Sequence, residues 1–326
     1  MAGGDPQDPQ DLLERIRAGE VDARRVLLTP DAVPGAADVS VEALLAAEPS
    51  LGEVSDGAWE RLEAEPAARI GDLEPERRTW IADMLTFWRT APGDVSRATS
   101  PNDSMYAKSP DRYFPTGAMS LRCVRLAMLE ARKDEVESML DFACGYGRAL
   151  RYFRAAFPHA RLTACDINRD AVDFCAQQFG ATPVYSAGDP AEIELPGPFD
   201  LIWVGSLFSH VPEGHWVALL DLLASVLSKD GLLVFTTQGR NVRRQLVSRE
   251  LDWALTDEAA DEIVRGFDET GFGYADWTGA RGYGTTLNRP SWVCARIEER
   301  PGLRLIGLRE RGWGRQDVVA CQGTGG

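Results

Sequence analysis

The sequence predicts an α/β protein, a doubly wound and mainly parallel sheet with helices on both faces, preceded by an N-terminal helical extension. Three observations carry this prediction. Short apolar segments alternate with amphipathic ones from about residue 117 onward. A glycine turn, Gly145-Tyr146-Gly147, closes the first of the strand-like segments. Two strand-like runs near the C-terminus stand too close together for a crossover helix and must pair antiparallel.

The elements follow in order. Residues 1–100 read as the helical or irregular extension, and residues 101–326 as the α/β domain. In the extension, Asp11 to Arg17 suits a short helix, and Ile81, Met84, Leu85 and Trp88 form an i, i+3, i+4, i+7 stripe. Residues 91–115 are rich in Pro, Ser, Asn and Asp and predict a linker or covering loop. Leu121, Val124 and Met128 then mark a helical face. Strands are expected at Met139–Ala143, Leu162–Ile167, Pro183–Ala187, Phe199–Gly205 and Gly231–Thr237. Helices are expected around Leu150–Phe157, Val172–Phe179 and Trp216–Leu227. Farther on, Glu258–Phe267 reads as a helix, Gly271–Leu287 as a Gly- and aromatic-rich stretch, and Ser291 as the cap of a helix through Val293 and Ile297. Leu303–Leu308 and Asp317–Cys321 are the antiparallel pair.

Composition narrows the function classes. Net charge is −15, and residues 1–100 contribute −10 of it with 20 acids against 10 bases. Nucleic-acid affinity rests largely on Lys and Arg neutralising phosphates, so a DNA or RNA partner is disfavoured. No uncharged apolar run approaches the ~18–20 residues of a membrane helix, and Met1 to Asp5 lack the pattern of a secretory signal. A cytoplasmic protein is expected. Cys123, Cys144, Cys165, Cys175, Cys294 and Cys321 lack C-x-x-C spacing, which argues against a metal site or disulfide framework.

The chemistry-bearing signal starts at Asp141-Phe142-Ala143-Cys144-Gly145-Tyr146-Gly147. Ligands of open α/β sheets bind at the carboxyl ends of the strands, and glycines let the backbone turn and approach them. Asp141 lies inside the strand, where a carboxylate suits a cationic group and does not suit an anionic pyrophosphate. Leu150 stands where a dinucleotide fold needs its third small residue. Both features oppose a nicotinamide oxidoreductase and favour a cofactor bearing an ammonium, such as S-adenosylmethionine. Asp166 ends the second strand 19 residues after Gly147, close to the ~20-residue spacing of a ribose-binding acid. Asp189 ends the third, where it can accept from an adenine amino group.

With these acids in place, the chain resembles the class I methyltransferase superfamily over about residues 115–326. The motifs are Leu140–Arg148, Ala164–Asn168, Gly188-Asp189, Phe199–Leu207 and Leu227–Leu233. The resemblance implies a Rossmann-like seven-stranded sheet with its last strand antiparallel, and S-adenosyl-L-methionine as cofactor. It implies that Asp141 and Gly145 lie near the methionine part, that Asp166 meets the ribose and Asp189 the adenine, and Ala143, Gly147 and Ile167 are expected among the cofactor-binding residues. Ser206 and Leu207 after the fourth strand, and Tyr113 and Gly117 on the N-terminal side, complete the expected cofactor lining. Cys144 replaces a glycine common in the family, and a small residue still fits. Methyl transfer from a sulfonium is an in-line displacement in which the protein mostly binds and orients. His210 is the candidate catalytic base; packing beneath the next helix is the other role open to it. His215 reads as more exposed and His159 as peripheral. Aromatic residues Tyr106, Tyr113, Phe114, Tyr274, Trp277 and Tyr283 are candidates for an acceptor pocket or for lid packing. A small-molecule acceptor, methylated at O, N or C, is the leading reading. A non-catalytic cofactor-binding subunit and a protein methyltransferase are the alternatives, and a homodimer is left open.

Overall fold

A computed structural model describes residues 8–18, 20, 21, 39, 47, 94–250 and 255–325. The chain divides into two compact units, Met1–Phe87 and Trp88–Gly326. In the first, helix α1 (Pro9–Arg17) starts where Asp8 accepts from the Gln10 amide at 2.9 Å, with Pro9 pre-set at the first turn. It buries Leu12, Leu13 and Ile16, in keeping with the helix expected there. The Ile81–Trp88 stripe lies outside the described residues.

The second unit holds one seven-stranded sheet in the order β3-β2-β1-β4-β5-β9-β8. Its strands are β1 (Ser138–Phe142), β2 (Arg161–Asp166), β3 (Thr182–Tyr185), β4 (Phe199–Val204), β5 (Leu227–Thr237), β8 (Leu303–Trp313) and β9 (Gln316–Gly323). β1 to β5 run parallel and β9 pairs antiparallel with both β5 and β8. The seven strands, their mainly parallel sense and the antiparallel last strand match the expectation. β8 and β9 are longer than their apolar cores suggested, and only Gly314 and Arg315 connect them.

Helices α3 (Pro110–Ala131), α4 (Leu150–Ala156), α5 (Arg169–Phe179), α6 (Glu213–Ser225), α7 (Arg240–Val247), α8 (Asp257–Glu269) and α9 (Pro290–Glu298) flank the strands. One face of the sheet presents Leu140, Ile202, Val204 and Phe235 to Trp216 of α6 and Val293 and Ile297 of α9. On the other, Phe153 of α4 meets Trp203 at 6.0 Å between ring centroids, and Trp203 meets Trp313 at 5.9 Å. Trp216 is fully buried, and a tryptophan of ~200 Å² removed from water contributes roughly 5 kcal/mol before ordering costs.

Three expectations need correcting. Residues 91–115 are not a loop throughout: they contain helix α2 (Ser104–Lys108) and the start of α3. Asp103 caps α2 by accepting from the Met105 and Tyr106 amides, and Pro110 sits in the first turn of α3, where its missing N–H costs nothing. Ser291 lies inside α9, and Arg289 occupies its cap position. The Gly271–Leu287 stretch forms a two-stranded antiparallel sheet of β6 (Phe272–Asp276) and β7 (Gly284–Asn288). The amides of Gly284, Thr286 and Asn288 donate to the carbonyls of His210, Ser209 and Gln238, fastening this hairpin to the loops after β4 and β5.

Candidate active site

The strand order reverses between β1 and β4, and the loops leaving these two strands form the site. After β1, the amides of Ala143 and Cys144 donate to the Cys165 carbonyl at 2.8 and 3.1 Å. The Gly145 amide donates to Asp166 Oδ2 at 2.8 Å, and the Asn168 amide to Asp166 Oδ1 at 2.9 Å. One carboxylate thus joins the glycine turn to the end of β2. Ala143, Gly145 and Gly147 all have positive φ, at 63°, 50° and 72°. Ala143 stores strain of about 1–2 kcal/mol in that conformation. A Cβ on Gly147 would stand 2.4 Å from the Phe179 ring, whereas one on Gly145 would meet nothing within 4 Å. The turn is therefore closed on its core side and open on its outer side.

Asp141 is 2% exposed, and its Oδ2 has no hydrogen-bond partner. Burial pushes its carboxyl well above the usual carboxylate range. The negative charge of Asp166 adds to this, and the Arg148 guanidinium opposes it. Arg148 itself lies over the Trp313 ring at 5.3 Å. Ile167, next to Asp166, is 64% exposed, an unusual setting for an isoleucine. Asp189 is exposed and caps the short turn Pro190–Glu192 through the Ala191 amide at 3.0 Å.

Tyr113 and Gly117, on α3, support the turn from behind. The Tyr113 hydroxyl donates to the Tyr146 carbonyl at 3.4 Å, and Gly117 leaves room for the Arg148 carbonyl, which a Cβ would meet at 2.1 Å. Burial raises the Tyr113 hydroxyl above its ordinary range. Between them and the turn sits Arg151, 1% exposed, which the sequence did not single out. Its Nε donates to the Gly147 carbonyl, one terminal nitrogen to the Ser96 and Ala98 carbonyls, and the other to the Tyr146 carbonyl and the Tyr113 hydroxyl. These five bonds, 2.8 to 3.3 Å long, satisfy all five guanidinium donors.

The loop after β4 carries Ser206, Leu207 and His210. Ser206 has φ +60°, and its amide donates to Thr236 Oγ1 at 2.8 Å. The loop then turns tightly, the His210 amide donating to the Leu207 carbonyl. His210 Nδ1 lies 2.6 Å from the Gly284 carbonyl oxygen. A carbonyl only accepts, so Nδ1 carries the proton and Nε2 presents a lone pair. Nε2 has no hydrogen bond among the described residues. The ring lies 5.0 Å from Trp277, edge to face, and 5.1 Å from Tyr283, stacked. Burial lowers the imidazole below its ordinary range, against the opposing bond to Gly284. The Tyr283 hydroxyl is pushed up to about 12, first by burial and then by the charge of Asp166. Trp277 is held in turn by its indole N–H on Thr285 Oγ1 at 2.9 Å. His215 is half-buried on α6 and His159 is exposed.

The expected cofactor residues on β1 and β2 are joined directly. Ser206, Leu207 and His210 leave the neighbouring strand β4. Asp189 stands on its own loop, without a bond to the other acids. Among the described residues no group of His, Cys, Asp and Glu is arranged to hold a metal ion.

Residues 139–231 match the family described as "Methyltransferase domain". Over this stretch, from β1 to the start of β5, the chain is similar to methyltransferase domains. A malonyl-[acyl-carrier protein] O-methyltransferase of Anoxybacillus flavithermus is 28% identical over 130 residues, 40% of this chain and 49% of that one. The enzyme of the same name from Acetivibrio thermocellus is 28% identical over 115 residues, 35% of this chain and 40% of that one. The chain thus spans less than half the length of the curated relatives it matches. Among solved structures, an S-adenosylmethionine-dependent methyltransferase from Clostridium acetobutylicum has a TM-score of 0.47 at 12% identity, covering 67% of this chain and 96% of that one.

Proposed function

We propose that the protein transfers a methyl group from S-adenosyl-L-methionine to a small-molecule acceptor at O, N or C, with His210 as the general base. The buried Oδ2 of Asp141, without a hydrogen-bond partner among the described residues, carries this reading. A buried carboxylate oxygen without a donor costs stability, and an ammonium placed there would relieve it. The donor set fits the cofactor. Asp141 and the glycine turn would hold the methionine part, with Ala143 and Gly147 shaping the turn. Asp166 already accepts one amide on each oxygen and keeps lone pairs for ribose hydroxyls. Ile167 offers apolar surface and Asp189 an exposed carboxylate toward the base. Ser206 and Leu207 would line the methyl side, while Tyr113 and Gly117 hold the turn. When bound, the cofactor supplies an electrophilic methyl on a sulfonium.

The chain's own residues have two tasks in the reaction. The loops exclude water and orient the acceptor's nucleophilic atom, and His210 Nε2 takes that atom's proton as the new bond forms. The neutral imidazole set by burial suits this task near pH 7. Both curated relatives carry the name malonyl-[acyl-carrier protein] O-methyltransferase, so malonyl-[acyl-carrier protein] is one acceptor to assay. Its carboxylate is already ionised near pH 7 and would need no base, so the His210 role is tested on acceptors that carry a proton. The same reading places residues 1–100 outside the catalytic domain, in a cytoplasmic protein without a nucleic-acid partner, and makes a homodimer the assembly to test. Among the described residues no helix is long and apolar enough to cross a membrane.

Calorimetric titration of S-adenosylmethionine and S-adenosylhomocysteine into the wild type and Asp166→Ala tests the reading. Micromolar binding that the substitution weakens supports it. A folded wild type that binds neither ligand overturns it.

A further inference from the structure

We propose that Gln316 is a positioning residue for the cofactor, acting through Ser206; this rests on the function proposed above. Gln316 opens β9, and its side chain closes a three-membered ring of hydrogen bonds beneath the loop after β4. Its Nε2 donates to Ser206 Oγ at 2.7 Å. Thr236 Oγ1 donates to Gln316 Oε1 at 2.5 Å. The Ser206 amide donates to Thr236 Oγ1 at 2.8 Å. Three strands therefore meet at one residue: Ser206 follows β4, Thr236 lies near the end of β5, and Gln316 comes from the antiparallel strand β9.

The ring holds a conformation that the loop would not choose by itself. Ser206 has φ +60°, a region that side chains other than Gly, Asn and Asp rarely adopt. Thr236 is fully buried and Gln316 is 9% exposed, so water competes poorly for these bonds. Releasing the Gln316 amide frees the Ser206 hydroxyl and leaves Thr236 as the sole holder of the strained residue. Leu207 and His210 follow on the same tight turn, through the His210 amide on the Leu207 carbonyl. The side chain of Gln316 thus fixes where Ser206 and Leu207 stand toward the cofactor, without touching it. The ring also explains a buried polar cluster in a part of the sheet where apolar residues would pack.

Two variants and their combination test this. Gln316→Met keeps the length of the side chain and removes both of its bonds, and Ser206→Ala removes the receiving hydroxyl. Binding of S-adenosylhomocysteine, the melting temperature and hydrogen exchange of the Ser206 and Leu207 amides are measured for wild type, both single variants and the double variant. We expect each single variant to weaken binding about tenfold, to speed exchange at both amides, and to leave the fold intact. The double variant should bind no worse than the weaker single one, because both substitutions break the same ring. Binding within twofold of wild type for Gln316→Met, unchanged exchange, or two losses that add in full would overturn the assignment. A wild type that binds no S-adenosylhomocysteine would instead overturn the function proposed above, and the exchange data would still judge the ring.

Discussion

Replacing Arg151 with Met should detach the N-terminal strap from the glycine turn. The magnitude follows from its bonds. Without the guanidinium, the Gly147 carbonyl still accepts the Arg151 amide, and the Tyr146 carbonyl still accepts the Tyr113 hydroxyl. The Ser96 and Ala98 carbonyls lose the partner they have in the structure. Both are half-buried, so water replaces part of the loss. Hydrogen bonds to charged groups contribute ~1.5–3 kcal/mol each. Two lost outright and three weakened give about 3–5 kcal/mol, less whatever is regained by no longer burying a charge. The guanidinium also lies 5.2 to 5.4 Å from the rings of Tyr113, Phe114 and Phe179, contacts that a thioether replaces in part. Arg151→Lys keeps the charge but offers three donors from one nitrogen, which cannot span five acceptors set around a planar fork. It should lose most of the same stability. Denaturant unfolding gives the free energy, and calorimetry with S-adenosylhomocysteine gives the effect on the turn. A loss below ~1 kcal/mol for Arg151→Met, with unchanged binding, would refute the argument that this cation anchors the site.

Other perturbations have defined outcomes. Asp141→Asn should raise the thermal stability of the ligand-free protein at neutral pH while weakening S-adenosylmethionine binding at least tenfold. The sign follows from the raised carboxyl: the folded state holds its proton more tightly, so its ionisation costs stability as pH rises past the ordinary carboxylate value of ~3.9. Unchanged stability in a pH series would count against the buried charge. His210→Ala should lower turnover at least tenfold and leave S-adenosylhomocysteine binding alone; equal turnover removes the base. Because burial lowers this imidazole, the folded state sheds its proton earlier than the unfolded chain. Its contribution to stability should therefore be intact above pH ~6.5 and fall below it, and turnover in a pH profile should fall only on the acid side of that value. Gly147→Ala adds a Cβ 2.4 Å from Phe179 at φ +72°, and overpacking with left-handed strain should cost about 2–4 kcal/mol in an unfolding titration.

How far the sequence reads follows from what surrounds each element. The parallel strands are covered on both faces, so β1, β4 and β5 appear as apolar runs and are legible. The acids within β1, at the end of β2 and after β3 are legible because a charge at the tip of an apolar strand has few structural uses. The hairpin β6–β7 was missed because β7 buries Thr285, Thr286 and Asn288, whose polar side chains leave no alternating pattern. Helix α7 shows only Val242 and Leu246 as its buried stripe, a spacing of four that was there to be read. The early helices hid behind prolines, although Asp103 ahead of Met105 and Tyr106 is a capping signal. Arg151 and Gln316 had no local signal. Their partners lie 55 and 110 residues away in the chain, at Ser96 and Ser206, and only the folded sheet brings them together.

The two buried charges beside the glycine turn divide the labour of the site. Arg151 is saturated: five donors meet five bonds, so it has no free donor for a ligand and belongs to the scaffold. Asp141 is as deeply buried, yet one of its oxygens has no hydrogen-bond partner among the described residues. A fold gains stability by pairing or removing such an oxygen. On the function proposed above, the unsatisfied member of the pair would receive the cation of a ligand, and the satisfied one keeps that place in shape. The same contrast holds on the next strand. Gln316, Thr236 and Ser206 satisfy one another, while His210 has one ring nitrogen fixed on Gly284 and the other unbonded. Fixed supports and single unbonded groups alternate along the sheet edge. A site that must hold a cofactor and move a proton needs this distribution, because preorganised neighbours keep each unbonded group aimed before the ligand arrives.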